Sequence, residues 1–249
     1  MRVAAIVAAG GQGTRLGTTV PKQFLQLGGR TVLDRSVEAL ASCEAIGLIV
    51  VALPEADAAN PPRYLMRADG RVRVVEGGAR RQDSVANAFA AVPEDTDVVV
   101  IHDAARPFVD RATIERTIEA AASAGAAIAA LPARDTVKLA DITETDWVGG
   151  EFGEPLPAVR PTKVPAVKRT LLRDTIYLAQ TPQAFRRDVL ERAIAHGRNG
   201  AEGTDEAALA EQIGSTVLLV PGDPRNIKIT TTADLAFARG LLLERGENT

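Results

Sequence analysis

Gly10, Gly11 and Gly13, followed by Arg15 and Lys22, are the residues of this 249-residue chain whose types and spacing speak most directly of chemistry. They belong to AAGGQGTRLGTTVPKQ, residues 8–23, which follows a short apolar run, Val3–Ala8. Glycines let backbone N–H groups approach an anion closely, because no Cβ intervenes and positive φ is open to them. A polyphosphate resting on such a loop keeps charge that amides cannot neutralise, and the two cations can supply the remainder. The bland alternative is a tight strand-to-helix turn flanked by two solvated cations.

Spacing separates the competing phosphate loops. No Gly-Lys-Ser/Thr occurs in the chain, which excludes a P-loop. The dinucleotide fingerprint fails at its third glycine, where Leu16 stands, and the chain runs on through Thr18, Thr19 and Pro21 instead of into an amphipathic helix. What remains, G-x-G-x-R-L followed by Pro-Lys, resembles the signature of sugar-nucleotide pyrophosphorylases and related nucleotidyltransferases. A nicotinamide oxidoreductase is the weakest alternative.

Other constellations follow downstream. GGARRQDSV, residues 77–85, is a second glycine turn opening a helix, and Ser84 in its first turn can bond a base or ribose or simply an orphan backbone N–H. HDAARPF, residues 102–108, puts Asp103 at a strand end, suited to a sugar hydroxyl or a metal. Arg106 can bind a phosphate there, and a structural ion pair is the competing role for the two. Thr181 in TPQAF, Thr204 in TDEA and Lys228 in NIKIT complete the set. An ammonium between Ile227 and Ile229 is costly to desolvate unless an anion pairs with it, which marks Lys228 out from surface lysines. His102 and His196 have no metal-ligand spacing; His102 reads as a partly buried neutral residue. Asp205 and Glu206 read as helix caps.

These residues need a scaffold. Val3–Ala8, Ile46–Leu53, Val72–Val75, Val98–Ile101 and Ala126–Leu131 read as buried parallel strands, with helical periodicity at Thr31–Ser42, Arg81–Val92 and Arg111–Ala124. Thr31 with Asp34 resembles a capping box, and Asp110 can cap the third helix. The alternation predicts an α/β fold, a Rossmann-like doubly wound and mostly parallel sheet. Ligands of such sheets bind beyond the carboxyl ends of the strands. Further on, a strand at Ile176–Gln180, helices at Arg187–His196 and Asp205–Ile213, a strand at Val217–Val220 and a closing helix at Thr232–Glu244 are expected. The pattern breaks near 136–173. Residues 147–168 hold four prolines and three glycines, and Thr136–Ala140 and Val167–Leu172 flank them as alternating pieces. A β-arm over about 134–173, projecting from a single domain spanning 1–249, is the expectation; a disordered insertion is the alternative.

Composition bounds the partners. Net charge is −3, with 29 basic and 32 acidic residues well mixed, so no basic stripe exists for nucleic acid. Aromatics are few: six Phe, two Tyr and one Trp. The N-terminal apolar run of about seven residues is at the lower limit for a signal peptide, and the glycine-rich, charged sequence after it suits a first buried strand better; no stretch approaches the roughly 20 apolar residues of a membrane span. One cysteine, Cys43, cannot form an internal disulfide, so a soluble cytoplasmic protein is expected.

Taken together, AAGGQGTRLG…PKQ, GGARRQDSV, HDAARP, LPARDTVK, TPQAF, TDEA and NIKIT, in this order, resemble the 2-C-methyl-D-erythritol 4-phosphate cytidylyltransferase family of the non-mevalonate isoprenoid pathway. The resemblance spans about residues 2–245. It implies cytidylyl transfer from CTP to methylerythritol phosphate with release of pyrophosphate, assisted by Mg²⁺ held mainly through the triphosphate; no protein ligand is fixed, and Asp103 is the candidate. It implies that Arg15 and Lys22 stabilise charge at the α-phosphorus and that Arg173 and Lys228 position the acceptor. Asp103, Arg106, Thr136, Thr181 and Thr204 fall where the family contacts that acceptor. Ala8, Ala9, Gly10, Gly78, Ser84 and Ala104 fall where it holds the nucleotide, and Gly11 and Gly13 extend that loop. A homodimer is implied, its arms reaching the partner's site, so that Thr136, Arg106 and Arg173 act across the interface. The arm is longer and richer in proline than is usual for the family, so Lys168 and Arg169 compete with Arg173, and the insertion at 147–168 is expected to enlarge the dimer contact. Ribitol 5-phosphate is the alternative acceptor; a non-catalytic nucleotide-binding protein is the alternative from another class.

Overall fold

The computed structural model describes residues 1–10, 20–67, 70–145 and 162–247. The chain divides into two compact units, one made of residues 1–131 and 179–249, the other of residues 132–178. In chain order the elements are β1 (Val3–Ala8), β2 (Gln26–Leu27), β3 (Arg30–Thr31), α1 (Val32–Ala41), β4 (Ile46–Leu53), α2 (Glu55–Ala59) and β5 (Val72–Glu76). Next come α3 (Arg81–Phe89), β6 (Val98–Asp103), α4 (Arg111–Ala124), β7 (Ala126–Pro132), β8 (Lys138–Thr145) and β9 (Thr162–Thr170). The chain closes with β10 (Tyr177–Arg186), α5 (Arg187–Arg198), α6 (Glu206–Gln212), β11 (Val217–Pro221) and α7 (Thr232–Glu244).

The first unit is built on a seven-stranded sheet in the order β11-β7-β10-β6-β1-β4-β5. β1 pairs in parallel with β4 and β6, β4 with β5, and β7 with β11. β10 is the exception, antiparallel to β6. The fold is therefore the expected α/β architecture around a mostly parallel sheet. Its near-continuous apolar strands have a simple cause: both faces are covered. Along β1, Val3, Ala5 and Val7 pack in one core with α1 and α4, while Ala4 and Ile6 pack in another with α3, α5 and α6. A smaller cluster joins Leu27, Val32, Phe108 and Ile229 to α7. Ile6 and Ile101 are fully buried, so truncating either to alanine would cost about 2–5 kcal/mol.

Several expectations change. β5 is an edge strand and only partly buried, because no neighbour covers its far side. β10 runs on to Arg186, since TPQAF continues the ladder against β6. The short pairing of β2 with β3, and α2, were not expected. Thr31 caps α1 through the Asp34 N–H at 3.1 Å, but the Asp34 carboxylate binds Arg30 at 2.8 Å instead of closing the capping box. Asp110 caps α4 as expected, accepting from the Thr113 N–H at 2.7 Å.

In the second unit β8 and β9 form an antiparallel pair, Lys138 opposite Thr170 and Thr145 opposite Thr162. Residues 162–168 of the proline-rich stretch are thus strand, with Pro165 opposite Ile142. A two-stranded ribbon tolerates this proline because each strand has a free edge. Residues 147–161 lie outside the described residues. Among the described residues no helix is long and apolar enough to cross a membrane.

Candidate active site

The register of β1 with β6 sets Ala8 beside Asp103 at the carboxyl edge of the sheet. Beyond those ends lies a cleft whose walls include Gly10, Lys22, Gly78, Ser84, Asp103 and Lys228. Gly78 is required by close approach: a Cβ there would lie 2.4 Å from the Asp83 Cβ. Its N–H donates to Ser84 Oγ at 3.0 Å, so in this structure Ser84 ties its own loop. Ala104 is held from behind, its carbonyl accepting from Ser36 Oγ at 2.8 Å. Ala9 and Ala104 line the cleft beside them.

Asp103 is the electrostatic centre. Its Oδ2 lies 2.7 Å from Lys228 Nζ and 4.0 Å from Arg106 Nε, and its Oδ1 lies 3.2 Å from Arg81 Nε. Burial alone would raise the Asp103 pKa, but Arg81 and then Lys228 outweigh it and hold the carboxyl below its ordinary range. Lys228 thus has the anion its apolar neighbours demanded. Ile229, buried in the third core, and its N–H bond to the Ala105 carbonyl at 2.8 Å, fix the segment that carries Lys228. Asn226, fully buried, donates to the Thr181 carbonyl at 2.8 Å and pins the same segment to TPQAF.

A second hollow also borders this charge cluster. Its lining includes Arg106, Thr181, Gln183 and Thr204 and shares Arg81, Asp103 and Lys228 with the first. The charged trio is therefore a wall common to two adjoining spaces. Arg106 is spent largely on the backbone, donating to the Asn226 carbonyl at 2.7 Å and to that of Ala179 at 3.4 Å. Burial lowers its pKa, against the pull of Asp103.

His102 is fully buried, not partly as expected, because it faces inward from β6. Burial lowers its pKa to about 4, so it is neutral near pH 7. A proton on Nε2 satisfies both of its contacts: Nε2 donates to the Arg106 carbonyl and Nδ1 accepts from Thr181 Oγ1, each at 3.0 Å. Thr181 Oγ1 in turn accepts from the Asp103 N–H at 3.1 Å. His102 and Thr181 together brace the turn from Asp103 to Arg106.

Gly11, Gly13 and Arg15 lie outside the described residues. Thr136 and Arg173 belong to the second unit, both exposed. Arg173 donates to the Arg134 carbonyl at 3.1 Å, and Lys168 pairs with Asp141 at 3.0 Å.

Sequence reasoning missed Arg81, the second arginine of GGARRQDSV. A signal was available: the first position of a helix disfavours a cation, so an arginine there wants an anion. Glu206 was misread as a cap. Asp205 alone caps α6, accepting from the Ala208 N–H at 2.9 Å, while Glu206 turns inward to Arg81. Among the described residues no three His, Cys, Asp or Glu side chains are grouped to hold a metal; Asp103 is a carboxylate in the cleft wall.

A family model described as 2-C-methyl-D-erythritol 4-phosphate cytidylyltransferase matches residues 3–149 and 158–244. The bifunctional enzyme IspD/IspF of Anaeromyxobacter dehalogenans is 49% identical over 97% of this chain and 57% of its own length. The chain spans little more than half of the first curated relatives it matches. The 2-C-methyl-D-erythritol 4-phosphate cytidylyltransferase of Acidobacterium capsulatum is 40% identical, covering 98% of this chain and 99% of that protein. The crystal structure of the Thermus thermophilus protein of that name superposes with a TM-score of 0.73 at 35% identity, over 97% of this chain and 98% of that one.

Proposed function

The chain belongs to the 2-C-methyl-D-erythritol 4-phosphate cytidylyltransferase family, a family of nucleotidyltransferase enzymes, and on that premise we propose that it transfers the cytidylyl group of CTP to 2-C-methyl-D-erythritol 4-phosphate in isoprenoid precursor synthesis. The observation that carries this reading is the pair of hollows sharing Arg81, Asp103 and Lys228 as one wall. A two-substrate transfer needs two adjoining subsites with cationic charge where they meet.

The glycine side, lined by Ala8, Ala9, Gly10, Gly78, Ser84 and Ala104, takes CTP in this proposal, and the family resemblance assigns Gly11 and Gly13 to the same nucleotide. The threonine side, with Asp103, Arg106, Thr181 and Thr204, takes the polyol phosphate, and in the dimer of this proposal Thr136 of the partner subunit reaches it. An acceptor phosphate oxygen attacks the α-phosphorus; the new P–O bond forms as the bond to the β-phosphate oxygen breaks and pyrophosphate leaves. Such a transfer rests on in-line placement and charge compensation. The acceptor phosphate is already anionic at neutral pH, so no general base is needed, consistent with a His102 engaged in bracing the loop. Lys22 and Arg15 stabilise charge growing around the α-phosphorus, while Lys228 and, across the dimer interface of this proposal, Arg173 of the partner subunit place the acceptor.

Mg²⁺ would be held mainly by triphosphate oxygens and water, since both Asp103 oxygens are paired with Lys228 and Arg81 and Asp103 could serve it only by giving up one of them. The ion would supply further charge neutralisation at the phosphates. A homodimer through the unit 132–178 completes the proposal; Ile142 and Val167 of its ribbon are 65% and 64% exposed, a large apolar cost for a surface left in water. A cytoplasmic location accords with the lone buried Cys43.

Pyrophosphate release from CTP, measured with methylerythritol phosphate and with ribitol 5-phosphate, tests the reading. Turnover with the first acceptor is expected. Turnover with ribitol 5-phosphate alone reassigns the acceptor, and none with any polyol phosphate leaves a nucleotide-binding protein.

A further inference from the structure

Glu206 begins α6, a position where a carboxylate ordinarily stays in water, yet it is 1% exposed. Its Oε2 accepts from Arg81 Nη1, and its Oε1 has no partner. A buried carboxylate is costly without a counter-charge, and here Arg81 supplies it. That same guanidinium, carried on the first residue of α3, reaches Asp103 Oδ1 through Nε at 3.2 Å. The donors of a guanidinium form a rigid planar fork, so an anchor on Nη1 fixes the direction of Nε.

We propose that Glu206 is a positioning residue: through Arg81 it orients the Asp103 carboxylate, leaving Oδ2 to Lys228 and to the acceptor hollow. Three segments far apart in sequence meet in this chain, α6, the start of α3 and the end of β6. Arg81 cannot follow Asp103 freely while Glu206 holds it from the far side. Asp103 therefore keeps one oxygen turned toward Arg81 and one toward the shared wall. The identity of the acceptor rests on the function proposed above; the geometric claim does not.

The test is Glu206→Gln in the full chain, which keeps the shape and removes the charge. Losing one charge-assisted hydrogen bond predicts about a tenfold rise in KM for methylerythritol phosphate. KM for CTP should rise less, since Arg81 walls both hollows but the glycine, Ser84 and Lys22 lining of the CTP side stays in place. In a crystal structure of the variant, Arg81 Nε should have left Asp103 Oδ1. An Arg81 and Asp103 still in place overturn the inference, as do KM values that stay unchanged or rise equally for both substrates. If the native chain turns over neither acceptor, the functional reading fails, and the crystallographic distance still decides the role of Glu206. Should Glu206→Gln not fold, Arg81→Lys reads the same split, because an ammonium cannot span both carboxylates.

Discussion

The two ends of the central sheet spend their charges in opposite ways. At the carboxyl end, Asp103 and Glu206 are buried and bridged by Arg81, with Lys228 closing on Asp103. At the amino end, Asp97 accepts from the Arg2 N–H at 2.6 Å and lies 3.9 Å from the terminal amine, but its side chain is 59% exposed. Arg2 pairs with Asp95 in the same exposed setting. Water screens the amino-end pairs, so they contribute little. At the carboxyl end burial removes that screening, and each charge then matters to its neighbours' ionisation and orientation. Identical residue types are therefore screened from one another at one end and act on one another at the other, with burial making the difference.

The sharpest way to break this contrast is at Lys22. Replacing it with alanine should lower kcat by roughly 10²–10³, about 3–4 kcal/mol of barrier, with Tm little changed. Steady-state turnover beside a thermal melt checks this, and near-normal kcat would remove Lys22 from the chemistry. Asp103→Asn comes next, costing about 3 kcal/mol at pH 7 by leaving buried cations uncompensated. The native Asp103 pKa is depressed, so its stabilisation is present above the unfolded value of about 4 and is lost as pH falls below it. The stability gap between native and variant should accordingly narrow from pH 7 to pH 3. A constant gap in melts across that range would show that Asp103 is not held ionised. The smallest effect is expected at the amino end, where Asp97→Asn should move Tm by no more than about 2–4 °C at any salt concentration. A larger loss there would mean that the two ends are less different than their exposure suggests.

Much of the scaffold was legible in the chain. Val3–Ala8, Ile46–Leu53 and Arg111–Ala124 have the bounds their patterns predicted, because strand burial and helix capping are local consequences of residue type. Asp110 could be read as a cap for the same reason. β5 misled because an edge strand and a central strand share one apolar alphabet, and only the neighbours tell them apart. Glu206 misled more instructively. Its place after Thr204 and Asp205 looks like a helix start, and whether its carboxylate meets water or an arginine 125 positions earlier is no local property.

By itself, then, the sequence determined the strands, the helices, the glycine loop with its cations, and the reaction class that such a loop serves. It also singled out Lys228 as an ammonium in need of an anion. Tertiary structure alone decided which anion that would be, that Arg81 would share its wall, and that Glu206 would pair with Arg81. The physical reason is that pairing and desolvation depend on distance in space. Residues 81, 103, 206 and 228 acquire both only when the parallel sheet brings their segments to one edge.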